Sequence, residues 1–109
     1  MDTPQNALVL RIFTSVSDRC GLDALYLAIV QRAREMHLAG ATVLRGPLGF
    51  GHSRRLHKGR LLELTQDLPV VIEIVDTEEK INKFLLVLDG MMDSGLVTIE
   101  KAQMLRYGR

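Results

Sequence analysis

Five basic residues, Arg45, Arg54, Arg55, Lys58 and Arg60, fall in a stretch that holds no Asp or Glu. Gly46, Pro47, Gly49, Gly51 and Gly59 are interleaved with them, together with Phe50, His52 and His57. Guanidinium forks match the oxygens of phosphate and carboxylate groups, two N–H donors at a time. Glycines let backbone N–H groups approach a ligand and turn toward it at positive φ. Phe50 can stack on a base or pack into a neighbouring chain, and the two histidines can add a response to pH near neutrality. From Glu63 to Glu100 the balance reverses, with nine acids against Lys80 and Lys83. The combination points to an anionic ligand held at Arg45, Gly46, Gly49, Phe50, Gly51, His52, Arg54 and Arg55.

Other chemistries fit less well. His52 and His57 with Glu63 would suit a metal-dependent hydrolase or a metal-binding trimer, and this is the alternative reading. Their spacing, however, lies in a Gly/Arg segment and not on the helix face that a His-Glu-x-x-His zinc site needs. No Ser-His-Asp set or carboxylate pair stands out, so no catalysis is expected. Cys20 is the one cysteine, which excludes an internal disulfide. The net charge of +1 gives no bulk attraction to nucleic acid, and strands that offer only Phe13 make a poor stacking surface for RNA. No apolar run approaches the length of a membrane span, and the polar start is not a signal peptide. A cytoplasmic protein without nucleic-acid binding or membrane insertion is expected.

The elements that position these groups follow from periodicity. The chain has 109 residues, enough for one domain. Residues 1–7 are expected to be disordered. Leu8–Thr14 alternates as a strand. Leu22, Leu25, Tyr26, Ile29, Val30, Ala33, Met36 and His37 recur at helical steps, and Gly40 is expected to stop that helix in the left-handed region. Ala41–Arg45 is a second strand. Residues 50–59 are expected to be mobile, with a short return strand over Arg60–Leu64. Val70–Val75 is a third main strand. Asp76 and Glu79 have the spacing of a capping box for a second helix. Its stripe is Ile81, Phe84, Leu85, Leu88, Met91 and Met92, and it is expected to end at Gly95. The last extended region runs over 96–107, with a short helix from Thr98 as the other option there.

That order predicts a single α+β domain: a ferredoxin-like βαββαβ sandwich, with an antiparallel sheet and both helices on one face. Strand alternation puts Leu8, Leu10, Ile12, Val70, Ile72 and Ile74 under the helices. The other face is expected to carry Val9, Arg11, Phe13, Val71, Glu73, Val75, Val43 and Arg45, with Arg11, Glu73 and Arg45 in one row. Apolar patches crossed by paired charges suit a subunit interface.

Several stretches together resemble one known group. They are Ala41-Thr-Val-Leu-Arg-Gly46, Gly49-Phe-Gly51, Asp67-Leu-Pro-Val-Val-Ile-Glu-Ile-Val-Asp76, Gly95-Leu-Val-Thr-Ile-Glu100 and Met104-Leu-Arg-Tyr-Gly-Arg109. They are similar to PII signalling proteins, and most of all to the uncharacterised PII-like family called domain of unknown function 190. The resemblance implies a homotrimer, a T-loop-like role for 50–59, and a small effector bound in clefts between subunits. It also implies a regulatory target such as a transporter, channel or enzyme, with no required cofactor. The effector implied is an adenine nucleotide (AMP, ADP, ATP or a cyclic form), with Arg106 of the basic C-terminal strand among its ligands. Where PII proteins carry a second glycine-rich loop, this chain has only Asp93-Ser-Gly-Leu96, so a monophosphate or another compact anion fits best. A metal-tolerance trimer of the copper-tolerance type would share the oligomer but needs soft ligands, and Cys20 stands alone.

Overall fold

A computed structural model describes residues 3–47 and 68–108. Six strands and two helices are present among them: β1 Gln5–Ser15, β2 Arg19–Cys20, β3 Asp23–Ala24, α1 Leu25–Glu35, β4 Ala41–Arg45, β5 Pro69–Asp76, α2 Glu78–Asp89 and β6 Leu96–Met104. The long strands form one antiparallel sheet in the order β4-β5-β1-β6. This is the expected ferredoxin-like βαββαβ arrangement. β1 begins at Gln5, so residues 5–7, expected in a disordered lead-in, are strand, and Ala7 is buried. The 50–59 segment and the return strand expected at 60–64 lie outside the described residues.

Leu8, Leu10, Ile12, Val70, Ile72 and Ile74 are buried together with Leu25, Ile29 and Ala33 of α1 and Ile81, Phe84 and Leu88 of α2. Helices of this length are marginal in isolation. Burying a Leu, Ile or Phe contributes about 1.5–3 kcal/mol each, so the three-residue stripe on each helix supplies most of what holds it.

Four local expectations need correction. α1 starts at Leu25, not Leu22, and Leu22 is 99% exposed. β2 and β3 form a small hairpin whose two turn residues are Gly21, at φ 63, and Leu22. A positive φ at the first turn position matches strand twist, and the hairpin consumes backbone groups that a longer helix would need. The stop of α1 is His37, at φ 59, and not Gly40. His37 N–H bonds to Arg34 O and Leu38 N–H to Ala33 O, which is the paired closure of a Schellman motif. A histidine in the left-handed region costs energy that glycine does not. His37→Gly is therefore expected to stabilise the fold by about 0.5–1 kcal/mol, net of the extra freedom of the unfolded chain. Urea unfolding checks this, and a loss of stability would show that the His37 side chain is needed.

The second helix is capped by Thr77, whose hydroxyl accepts from Lys80 N–H at 3.4 Å. Asp76 belongs to β5, so the cap falls one residue later than expected, and with Lys80 three residues on from Thr77 the expected capping box does not form. α2 ends at Asp89 with Gly90 as its cap, leaving Met91 and Met92 beyond it. Gly95 has φ 129, and a Cβ there would lie 2.9 Å from Phe13 O. It marks a close backbone crossing before β6, not a helix end. Residues 96–104 are strand throughout, which settles the choice against a helix at Thr98.

Candidate functional site

The register decides which side chains share a face, because directly opposed residues point the same way. Val43 stands opposite Ile72 and Arg45 opposite Val70. Both therefore lie on the helix side, not on the open face where they were expected. A one-residue difference in register moves every side chain of a strand across the sheet. Thr42 and Leu44 take the open face instead. The row on that face is Thr42, Glu73, Arg11 and Thr98, one residue from each long strand.

Arg11 is the centre of this row. Its Nε donates to Glu73 Oε2 at 2.9 Å, and its Nη1 pairs with Glu100 Oε1. The hydrogen bond to Glu73, then that to Glu100, raises the Arg11 pKa above its ordinary value. Around these charges stand half-buried Val9, Phe13, Val71 and Val75, with Leu44 and Leu96 exposed. An apolar face with its cation already paired can meet a second surface without leaving that cation unsatisfied.

The two ends of the sheet differ. At one end, Gly46 N–H bonds to Pro69 O at 2.9 Å and Val16 N–H to Leu68 O at 2.9 Å. These rungs tie together the described residues on either side of positions 48–67. Arg45 sits here, with Nη2 donating to Tyr26 Oη at 2.7 Å and its guanidinium carbon 5.4 Å from the Tyr26 ring centroid. Tyr26 thus fixes Arg45 by a hydrogen bond and a cation–π contact, leaving other N–H donors of the fork unspent. Asp18 closes the β1 exit by accepting from Ser15 N–H at 2.9 Å and from the Thr14 hydroxyl.

At the other end, Asp76 is fully buried. Its Oδ2 accepts from Ala39 N–H at 2.8 Å and its Oδ1 from Thr77 N–H at 2.7 Å. Arg106 Nη2 stands 3.6 Å from Asp76 Oδ1. Lys80 Nζ donates to His37 O at 3.0 Å, placing a cation at the C-terminal end of α1. A cavity of about 300 Å³ opens beside Gln5, Asp76, Thr77, Lys80, Met104 and Arg106.

The structure therefore brings Arg45 and Gly46 together but leaves Arg106 far from them. β5 runs between the two ends, and its eight residues span roughly 23 Å at ~3.3 Å per step. Gly49, Phe50, Gly51, His52, Arg54 and Arg55 lie outside the described residues. Among the described residues, no group of three or more His, Cys, Asp or Glu side chains is placed to hold a metal ion. None of their helices is long and apolar enough to cross a membrane.

Sequence reasoning missed three contributors. Tyr26 was visible only as part of an apolar stripe, and nothing in its spacing pairs it with Arg45. Lys80 looked like an ordinary surface lysine. Asp76 carried a usable signal: it continues the alternation Val70, Ile72, Ile74 onto the buried face, where a carboxylate must find donors.

Comparison with known proteins gives a consistent picture. The family DUF190, described as "Uncharacterized ACR, COG1993", matches residues 7–104. A UPF0166 protein of Aquifex aeolicus (strain VF5) is 40% identical over 97 residues, which is 89% of this chain and 91% of that protein. A UPF0166 protein of Methanocaldococcus jannaschii is 33% identical over 94 residues, covering 85% of this chain and 86% of that one. Among solved structures, CPII from Thiomonas intermedia K12, a nitrogen regulatory PII-like protein bound to ADP, AMP and bicarbonate, superposes with a TM-score of 0.71. That likeness, at 17% identity over 95% of this chain and 92% of CPII, is one of fold.

Proposed function

The chain belongs to the DUF190 family, and from that premise we propose that it is a non-enzymatic, cytoplasmic PII-like signalling protein. Its effector is a small anion, with an adenine nucleotide such as AMP as the first candidate. The effector binds where two chains of a homotrimer meet, and the 50–59 segment carries the signal to a transporter, channel or enzyme.

One observation carries this reading. Gly46 and Arg106 occupy opposite ends of the same sheet, so a single chain cannot place both on one nucleotide. Two chains can, if the Gly46 end of one meets the Arg106 end of the next. The open sheet face, apolar with Arg11 already paired, supplies the surface on which such copies associate. Nucleotide-bound CPII shares the fold, which adds support for nucleotide as the class of ligand. Effector binding would then act by changing which surface is offered to the partner, a common form of switching.

Calorimetric titration with AMP, ADP, ATP and cyclic AMP tests the proposal, with sedimentation velocity on the same sample. At least one nucleotide is expected to bind, to a particle of three chains. Arg106→Ala should weaken that binding by about 1–3 kcal/mol, the range for a charge-assisted bond. Silence across the panel removes the nucleotide, and sedimentation as a lone chain removes the shared site.

A further inference from the structure

We propose that the cavity beside Asp76 seats the phosphate of the effector, with Lys80 as a direct ligand and Asp76 as the residue that positions Arg106. This rests on the preceding reading of an anionic nucleotide shared between chains, and it assigns the phosphate to a particular place.

The donors in this cavity are under-used. An ammonium group has three N–H donors and a guanidinium has five. Lys80 spends one, on His37 O at 3.0 Å. Arg106 stands 3.6 Å from Asp76 Oδ1, beyond hydrogen-bond range, so its fork is held near the carboxylate without being consumed by it. Asp76 cannot swing toward Arg106, because each of its oxygens already accepts from a backbone N–H, at 2.8 and 2.7 Å. It therefore acts as a fixed negative point behind a guanidinium that is half exposed.

The charge count favours a phosphate. Lys80 and Arg106 against Asp76 leave the cavity with one net positive charge. A phosphomonoester supplies the opposite sign and acceptor oxygens for both cations. Met104 adds an apolar wall and Gln5 a neutral amide, which suit the sugar or base attached to that phosphate. At about 300 Å³ the cavity is at the lower limit of ligand pockets, which run ~300–1,000 Å³. It suits a headgroup with part of its nucleoside, leaving the remainder to the adjoining chain.

The test uses the intact protein with AMP, and with adenosine as the probe lacking phosphate. Amine acetylation read by mass spectrometry is expected to show Lys80 protected at least fivefold by AMP and unprotected by adenosine. Lys80→Gln is expected to weaken AMP binding at least tenfold, and Lys80→Arg to restore most of it. If Lys80→Gln disturbs folding through the lost bond to His37 O, the acetylation result on the wild-type chain decides. Binding of AMP with Lys80 equally reactive overturns this inference and leaves the nucleotide reading intact. Failure of the wild-type chain to bind any nucleotide overturns that reading, and this inference with it.

Discussion

Replacing Asp76 by alanine is expected to remove about 3–5 kcal/mol of folding stability. The carboxylate is fully buried and accepts from two backbone N–H groups, those of Ala39 and Thr77. A hydrogen bond to a charged group contributes about 1.5–3 kcal/mol, and alanine removes both. Ala39 belongs to the link between α1 and β4, and Thr77 caps α2. The loss therefore reaches both helices. Arg106 adds little to this cost, because half of its side chain is in solvent. Domains of this size hold only 5–15 kcal/mol in total, so the variant should unfold at a much lower urea concentration. Asp76→Asn should lose less, since its one carbonyl oxygen still satisfies one of the two donors. A change below about 1 kcal/mol for alanine would mean that water replaces the carboxylate and that Asp76 is not an anchor.

Gly95→Val is the second large effect, at about 2–5 kcal/mol. The residue has φ 129, a region that side chains disfavour by about 1–3 kcal/mol. A Cβ at this position would also lie 2.9 Å from the Phe13 carbonyl oxygen and 2.7 Å from Met92 Cε. The methionine can move, but the carbonyl belongs to β1 beside the core and cannot move without disturbing the sheet. Overpacking of that kind adds about 1–3 kcal/mol. Thermal unfolding should show a fall of more than about 10 °C. Gly40→Ala is the matched control: a Cβ there meets nothing within 4 Å and the residue is not at positive φ. It should be neutral or slightly stabilising. Equal losses at the two glycines would contradict the backbone crossing described at Gly95.

The frame of the protein was legible because it rests on period. Alternation along 8–12 and 70–74 identified the buried sheet face, and the pairing of β1 with β5 and of β5 with β4 followed from the element order. What failed was local. The three-residue steps from Leu22 to Leu25 imitate a helix, yet the backbone there closes a hairpin that periodicity cannot register. The side of the sheet taken by Arg45 depends on register, which composition does not state, and Arg45 was accordingly given to the wrong face. Gly40 and His37 show that a helix stop is set by backbone geometry, and glycine is only its usual occupant. The candidate site residues divide in the same way. Arg45 and Gly46 were nameable from charge and glycine placement, and Arg106 from the resemblance to PII proteins. That Arg106 lies a whole strand away from the other two is a fact of three dimensions, and so are its neighbours Asp76 and Lys80.

The rung between Gly46 and Pro69 has a consequence for how this domain tolerates change. It ties Gly46 and Pro69, which flank residues 48–67 in the chain, at adjacent points of the β4–β5 ladder. The cost of joining two fixed points grows only logarithmically with the number of residues between them, about 0.6 kcal/mol per doubling. Insertions and deletions between those anchor points should therefore leave the sheet intact, so relatives that differ widely in length there can share this scaffold.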